Sequence, residues 1–372
     1  MREITLHPSL TGTSRFISVR ERVRARDEPP PDSYAVGSPS TIALGLEDIL
    51  TAFGGELPPL IDPSYLAAYS TWLGSGDIDW SLALGPRGLA AAVDRWRRKV
   101  IPIVEEAEET GYVETLVRGR RILESLQPIR VNETRVRSLI DGGAPLASFL
   151  PARGSTAPPV RYDHSTKTGR LKVIDGPRVL TLSKEHRSIV TSRYPGGRIL
   201  SVDFVSLEPR LALYAVGRPA EGDVYEEMAR KMGESRARTK IATLSFLYGA
   251  ASSEGVSVDV RTKVREHFRV ERLREAILAC KGRNAYGRPL HIEDERHLIP
   301  HWVQSSAVDV CLLGFSSLAE RLGPLADPLF LVHDALFLDV PPGNIQRVSE
   351  ITAEGVNVSP FGQFPFSLNG LE

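Results

Sequence analysis

Residues 329–340 form the segment that most restricts what this chain can fold into. Their sequence, LFLVHDALFLDV, consists of two apolar runs separated by the polar pair His333 and Asp334. Two such runs around a short polar break predict a β-hairpin with the pair at its tip. An isolated carboxylate in apolar surroundings is energetically costly, so Asp334 requires an arginine, hydrogen-bond donors or a shared cation. The hairpin is therefore expected to present an acid that needs a partner.

A second acid lies near the end of the apolar segment RILSVDF at 198–204, which predicts a strand that ends beside Asp203. Taken singly, an aspartate at a strand end is usually a turn or capping residue. Two aspartates on adjacent sheet elements, however, can hold a pair of Mg²⁺ ions, which prefer carboxylate and phosphate oxygens. Two such ions, about 3.5–4 Å apart, stabilise both the attacking and the leaving oxygen of a phosphoryl transfer.

Composition excludes several classes of protein. The 372 residues are 42% hydrophobic, enough to bury a sizeable core, and predict two or three domains or one large domain with lobes. Lys and Arg total 46, as do Asp and Glu, so any charged surface must be local. The separation of Cys280 from Cys311 excludes a C-x-x-C pair and a disulfide framework. No apolar run approaches the ~18 residues of a membrane span and no signal-peptide pattern begins the chain, so a cytoplasmic protein without a membrane partner is expected.

The charge is locally positive between residues 151 and 200. This stretch holds ten Lys or Arg residues against three acids. A solvated basic face is the usual reason for such a run. The interspersed Gly, Ser and Thr residues would also let a polyanion approach closely, so binding to a phosphate backbone is the second interpretation.

Four residues spaced four apart, Arg236, Lys240, Leu244 and Tyr248, follow one face of a helix predicted at 234–250. At about 1.5 Å per residue the row spans ~18 Å, enough for two cations to grip a triphosphate while the aromatic ring meets a base. Arg suits this task by its planar fork and Lys as a point charge. On spacing alone, an ordinary amphipathic helix with a basic N-terminal half is the commoner reason for such a row.

Five segments, in chain order, resemble motifs of the family A DNA polymerases, the DNA polymerase I type. They are TGRL at 168–171; DFVSLEPR at 203–210, similar to motif A; RARTKIATLSFLYG at 236–249, similar to motif B; Arg296, Gln304 and Asp309, similar to an R…Q…D helix; and VHDA at 332–335, similar to motif C. The resemblance covers roughly residues 163–372. A chance match would require all five segments to be accidental.

The resemblance implies an α+β right-hand polymerase fold with an antiparallel palm sheet, helical fingers and a reduced helical thumb. It divides the chain into an N-terminal segment 1–85 of unassigned role, a thumb-like region 86–150, a first palm part 151–208, fingers 209–300 and a second palm part 301–372. Residues 1–85, rich in Pro, Gly and Ser, are expected to be irregular with a few helices and are a candidate docking region for a replisome or processivity partner. Apolar periodicity also predicts long helices from 88 to 127, helices at 209–231 and 302–321, and a terminal strand at 364–368.

The resemblance further implies a template-directed DNA polymerase that binds a DNA primer-template, deoxynucleoside triphosphates and two Mg²⁺ ions, for which Mn²⁺ can substitute. The implied metal ligands are Asp203, Asp334 and the carbonyl of Phe204. The implied nucleotide contacts are Arg236, Lys240, Leu244, Tyr248 and Glu208. The implied primer-template contacts are Arg170, Gln304, His333, Arg296 and Arg210.

Within these sets the implied roles differ. Lys240 offsets charge on the leaving pyrophosphate, and Tyr248 packs at the templating position. Glu208 lies beneath the sugar as a steric gate against a 2′-hydroxyl. Arg170 and Gln304 read minor-groove acceptors that all base pairs share. His333 would support the primer terminus.

The sequence departs from the family pattern at several positions. Tyr225 takes the place of a phosphate-binding His, and Leu244 that of an aromatic residue. Pro300 replaces an Asn and should kink its helix or mark the start. No D-x-E pair occurs before the helical region at 88–127, so we expect no proofreading nuclease.

Two other functions use the same residues. Single-subunit phage RNA polymerases share the palm acids and the Lys and Tyr of the helix, but Glu208 favours deoxynucleotides because a bulky acid beneath the sugar conflicts with a ribonucleotide. A catalytically weak palm, kept as a nucleic-acid-binding replisome module, needs only the basic stretch and would bind with strong salt dependence. The presence of both acids and Lys240 favours an enzyme.

Overall fold

The computed structural model describes residues 4–7, 10, 16–19, 24–28, 33–36, 46–53, 58–73, 80–151, 154–164, 166–250 and 256–371. The chain divides into two compact units, Met1–Val117 and Arg118–Glu372. The finer division into palm, fingers and thumb stays a prediction. No helix in the described ranges is both long and apolar enough to cross a membrane.

The first unit contains a four-stranded sheet that the sequence analysis missed. Its strands are β1 Ile4–Leu6, β2 Phe16–Ser18, β3 Arg24–Arg26 and β4 Tyr34–Val36, in the order β3-β2-β1-β4, with β1 and β4 parallel. Each strand has three residues, too few for alternating hydrophobicity to emerge from the surrounding Pro and Gly. The expectation of an irregular segment with a few helices is therefore wrong for this part.

The helices of the first unit follow this sheet. They are α1 Leu46–Ala52, α2 Pro63–Leu73 and α3 Trp80–Glu109, and α4 Tyr112–Glu124 continues into the second unit. The helices predicted at 88–127 are thus confirmed as α3 and α4. Gly85, with φ 66°, interrupts the helical geometry of α3 just before Pro86.

The second unit is built around an antiparallel sheet. Its strands are β9 Arg198–Phe204, β10 Asp327–Val332, β11 Ala335–Val340 and β14 Phe366–Gly370, in the order β10-β11-β9-β14. The predicted strand at 198–204 and the predicted hairpin at 329–340 are confirmed. The terminal strand begins two residues later than expected. Helices together with this sheet confirm the α+β class.

The remaining elements of the second unit surround this sheet. The helices are α5 Glu133–Asp141, α6 Leu207–Ala215, α7 Val224–Met232, α8 Arg236–Leu247, α9 Val258–His267, α10 Val270–Leu278, α11 Leu298–Leu322 and α12 Ile345–Ala353. The short strands are β5 Ile129–Arg130, β6 Thr156–Ala157, β7 Arg161–Asp163, β8 Lys172–Asp175, β12 Val356–Val358 and β13 Gly362–Phe364. Pro300 lies in the first turn of α11, where its missing N–H leaves no helical bond unmade.

Two helix predictions need correction. The single helix expected at 209–231 is two helices, α6 and α7, because Gly217 adopts φ 71° and Pro219 follows it. The helix expected at 234–250 ends at Leu247, and Tyr248 is its C-cap with φ −96°. The row of four residues therefore has only its first three members within the helix.

Aromatic packing fixes the end of β9 on helix α11. The ring of Phe204 lies 5.0 Å from that of Phe315 and 4.7 Å from that of Phe366, measured between centroids. Gly314 permits this approach, since a Cβ there would lie 2.7 Å from Cζ of Phe204. The residue next to Asp203 is thereby anchored in the core, which restricts where the acid can point.

Two histidines of the second unit make its stability depend on pH. Burial lowers the pKa of His164 to about 4, assisted by the charges of Arg288 and Arg120 and opposed by Asp163. Burial lowers the pKa of His267 to about 4 as well. Because the unfolded chain binds these protons near pH 6.5 and the folded chain does not, stability is lost as pH falls from about 6.5 towards 4.

We expect the free energy of unfolding to fall by about 1–2 kcal/mol through His164 between pH 7 and pH 5, and by less through His267, whose charge the solvent partly screens. Urea titrations at several pH values measure this, and His164→Gln should remove one histidine's share of the slope. An unchanged slope in the variant would contradict the assignment to His164.

Candidate active site

A cleft with a volume of about 1100 Å³ opens over the tip of the β10–β11 hairpin in the second unit. It brings together most of the residues that the sequence singled out: Arg170, Asp203, Phe204, Glu208, Arg236, Lys240, Leu244, Tyr248, Gln304, His333 and Asp334. These residues come from five separate segments of the chain, spread from Arg170 to Asp334. Only the tertiary fold places them in one site.

The two acids lie side by side on neighbouring strands. Asp203 on β9 is in register with Ala335, the first residue of β11, and Asp334 directly precedes it. The backbone N–H of Phe204 donates to the carbonyl of Asp334 at 3.3 Å, and Ser201 Oγ donates to Asp203 Oδ2 at 2.9 Å. His333 adopts φ 55° in the two-residue turn, which lets the chain reverse at Asp334.

The floor of the cleft carries uncompensated negative charge. Burial, followed by the negative charges of Glu208 and Asp203, raises the pKa of Asp334 to about 6, while Lys240 opposes the rise. Within the described residues no Lys or Arg forms an ion pair with Asp203 or Asp334. A cation placed between the acids would remove this repulsion.

The donor set fits a hard divalent cation. In the described part of the chain no group of three or more His, Cys, Asp or Glu side chains is arranged to hold a metal. Mg²⁺, however, is commonly bound by one or two carboxylates together with substrate phosphates. The paired acids and their unbalanced charge supply that set, so Asp203 and Asp334 remain the candidate ligands, with the Phe204 carbonyl beside them.

Helix α8 presents two cations to the cleft, and their partners differ. Arg236 donates from Nε and Nη2 to Asp223 Oδ2, at 2.9 and 2.6 Å. Asp223 also caps α7 through the N–H of Tyr225 and accepts from Ser206 Oγ at 2.9 Å. Lys240 has no carboxylate within ion-pair distance among the described residues. Lys240 is therefore the cation whose charge is available to an anionic ligand.

Glu208 and Tyr248 are joined across the cleft. The hydroxyl of Tyr248 donates to Glu208 Oε1 at 2.6 Å. Burial and the charge of Glu208 raise the pKa of Tyr248, so the hydroxyl stays protonated. The guanidinium of Arg170 lies 5.4 Å from the centre of the Tyr248 ring. Residues of three separate motifs thus contact one another in the cleft.

The turn that carries Arg170 is held by a buried arginine. Thr166 Oγ1 donates to the carbonyl of Arg170 at 2.8 Å, and Arg288 donates to the carbonyl of His164 at 3.0 Å. Gly169 adopts φ 74°, and a Cβ there would lie 2.2 Å from Nη1 of Arg288. A glycine is therefore required where this turn rests on Arg288.

Two predicted primer-template residues do not line the cleft. Arg210 is 5% exposed and donates to the backbone carbonyls of Val205, Ala220, Glu221 and Gly222. Its guanidinium thus fixes the break between α6 and α7, with four of its five N–H donors bonded to backbone carbonyls. Arg296 pairs with the adjacent Asp294, Nη2 to Oδ2 at 2.7 Å, on the exposed turn before α11.

Several cleft residues escaped individual prediction. Lys184 and Arg187 line the cleft from the short helix Lys184–Ile189, and Arg187 lies 5.1 Å from the centre of the Phe337 ring. Burial, followed by the charges of Arg170 and Arg187, lowers the pKa of His333 at the hairpin tip. The dense positive charge at 151–200 was the available signal. No sequence pattern pointed to Asp223 and Tyr225 as a pair, because their contacts are with Arg236 and Lys240 of α8.

Comparison with solved structures found a number of chains that are similar to this one in structure. No family model matches the chain, and no curated protein matches it. The chain is similar in structure to the POL domain of Pol1 from M. smegmatis in complex with DNA primer-template and dNTP, with a TM-score of 0.47 and 14% identity. The alignment covers 87% of this chain and 62% of that one, so the chain spans less than two thirds of its length.

Proposed function

We propose that this protein is a template-directed DNA polymerase that adds deoxynucleotides to a primer 3′-hydroxyl. The observation that carries the proposal is that Asp203, Asp334 and Lys240 line one cleft. Among the described residues, the two acids have no Lys or Arg as an ion-pair partner, and Lys240 has no carboxylate as one. A nucleoside triphosphate with bound Mg²⁺ supplies both missing partners. Neither an ordinary strand-end turn nor a simple amphipathic helix requires this arrangement.

The reaction is attack of the primer hydroxyl on the α-phosphate, with pyrophosphate as the leaving group. Asp203 and Asp334, with the Phe204 carbonyl, would hold Mg²⁺, which on binding activates the hydroxyl and neutralises phosphate charge. Lys240 faces the acids and offsets charge that develops on the pyrophosphate. Arg236, already paired with Asp223, adds a weaker electrostatic contribution.

Other residues of the cleft are assigned the selection of the sugar and of the template base. Glu208 lies half-buried in the cleft, where its carboxylate, fixed by the Tyr248 hydroxyl, would exclude a 2′-hydroxyl. Tyr248 and Leu244 would pack against the nascent base pair. Arg170 and Gln304 would donate to minor-groove acceptors, and His333 would support the primer terminus.

The proposed right hand assigns β9, β10, β11 and β14 to the palm and α6 to α10 to the fingers. The helical region 86–150 is the proposed thumb. Absence of proofreading, a cytoplasmic location and docking of a replisome partner through residues 1–85 stay predictions.

The test is single-nucleotide primer extension on a DNA template with Mg²⁺, comparing dNTPs with rNTPs. We expect extension with dNTPs and little with rNTPs, and Glu208→Ala should admit rNTPs because it removes the obstructing carboxylate. Extension by the wild type with rNTPs alone would identify an RNA polymerase. Salt-dependent binding of primer-template without any extension would leave only the binding-module function.

Arg187, which lies in the positively charged stretch 151–200 and lines the cleft, yields a prediction on DNA affinity. If Arg187 contacts a backbone phosphate, Arg187→Gln should reduce the slope of log Kd against log salt by about 1. Arg296→Gln is the matched control, because that arginine does not line the cleft, and its slope should equal that of the wild type. Fluorescence anisotropy of labelled primer-template at several salt concentrations measures both, and equal slopes for all three proteins would exclude the contact.

A further inference from the structure

Tyr225 is a buried aromatic residue that contacts both of the cations that α8 presents to the cleft, Arg236 and Lys240. It lies in the first turn of α7 and is 3% exposed. The Arg236 guanidinium carbon lies 5.6 Å from the centre of its ring, and Lys240 Nζ lies 5.7 Å from the same centre. Both distances fall within the ~6 Å over which a ring face attracts a cation.

The two cations depend on this ring to different degrees. Two hydrogen bonds to Asp223 already orient Arg236. Lys240 has no carboxylate partner among the described residues, and its four-carbon stem is flexible. A lysine without a fixed partner samples many rotamers, and the loss of that freedom opposes ligand binding. The ring of Tyr225 is the contact that can restrict Lys240 in advance.

The ring is well suited to this task because it is fixed and neutral. Asp223, two residues earlier, caps α7 and accepts from Ser206 Oγ, which ties the first turn of the helix to the residues that follow β9. Burial and the negative charges around the hydroxyl, that of Glu208 foremost, raise the pKa of Tyr225. The phenol therefore remains protonated, and its negative ring face is available to the ammonium group.

We propose that Tyr225 is a positioning residue that holds the Lys240 ammonium over its ring, directed into the cleft for the triphosphate of an incoming nucleotide. The inference rests on the proposed polymerase function but concerns one step of it, the binding of the triphosphate. Tyr225 thus acts through Lys240, whereas the histidine that the family pattern has at this position would contact phosphate directly. Arg236, held by Asp223 and the same ring, is the second cation that α8 presents to the cleft.

The experiment compares Tyr225→Leu, which removes the ring, with Tyr225→Phe, which keeps its face. We expect Tyr225→Leu to raise the KM for dNTP about two- to fivefold, since Lys240 is exposed and a cation–π contact at an exposed site is worth about that factor in affinity. Tyr225→Phe should retain most of the wild-type affinity. The Kd for primer-template should be similar in both variants, because the ring contacts Arg236 and Lys240, the two residues proposed to bind the triphosphate.

A matched control separates positioning from packing. Met228, buried on the same helix, contacts Thr243 of α8 through its sulfur at 3.8 Å. Met228→Ala should lower the melting temperature by loosening the α7–α8 contact, without the rise in KM expected of Tyr225→Leu. In a Lys240→Met background, Tyr225→Leu should raise KM no further. Equal effects of Tyr225→Leu with and without Lys240, or a loss in Tyr225→Phe as large as in Tyr225→Leu, would overturn the proposal.

Direct binding of dNTP to the protein, measured by calorimetry without DNA, distinguishes this inference from the polymerase proposal. If the wild type does not extend a primer but binds dNTP, and Tyr225→Leu weakens that binding only when Lys240 is present, the positioning role stands and the polymerase function fails. If extension occurs and the ring variants bind dNTP equally, the polymerase stands and the inference fails. A wild type that neither extends nor binds dNTP overturns both.

Discussion

Asp334→Asn is expected to reduce nucleotide incorporation at least 10³-fold while making the metal-free protein more stable. The amide keeps the shape of the side chain but removes the charge on which metal binding and phosphoryl transfer would depend. The pKa of Asp334 is raised to about 6 in the folded protein. A carboxyl whose pKa is higher in the folded than in the unfolded state destabilises the fold at pH values above both.

The stability gain should develop as the pH rises from about 4 to about 6 and stay at about 1–3 kcal/mol at higher pH. Urea unfolding in EDTA measures it, beside rapid-quench incorporation at saturating dNTP. Millimolar Mg²⁺ together with dNTP should stabilise the wild type more than the variant, because only the wild type binds the ion well. Residual activity within tenfold of the wild type would remove Asp334 from the reaction, and a less stable variant would contradict its unbalanced burial.

Lys240→Gln is expected to lower kcat/KM for dNTP by about 10²–10³, the range found when one preorganised charge-stabilising donor is removed from an active site. Lys240 is exposed on α8 and meets no carboxylate among the described residues, so its charge is not otherwise used. The matched variant Arg236→Gln should have a smaller effect, because Asp223 already neutralises that guanidinium.

Steady-state incorporation of one nucleotide gives both values under the same conditions. Much of the Lys240→Gln loss should fall in kcat, since charge on the leaving pyrophosphate develops in the transition state. An Arg236→Gln variant as defective as Lys240→Gln would show that Arg236 leaves Asp223 when the triphosphate binds.

Different parts of the fold could be predicted to different degrees. The hairpin with Asp334 at its tip and the strand that ends near Asp203 followed from short apolar runs, because strand burial and turn polarity are local properties. The sheet β1 to β4 could not be found in this way, since three-residue strands carry no period. The division of 209–231 into α6 and α7 was signalled by Gly217 and Pro219, and the apolar period of the flanking residues obscured it.

The residues of the candidate site could likewise be predicted only in part. The sequence alone singled out the candidate acids, cations and aromatic ring, because the ordered motifs depend on residue type and spacing. Only the tertiary structure decided the partners. It buried Arg210 among backbone carbonyls, brought Arg187 into the cleft, paired Arg236 with Asp223 and set Tyr225 beneath Lys240. Such pairings depend on where side chains from separate elements point once the core is packed, and no local pattern encodes that.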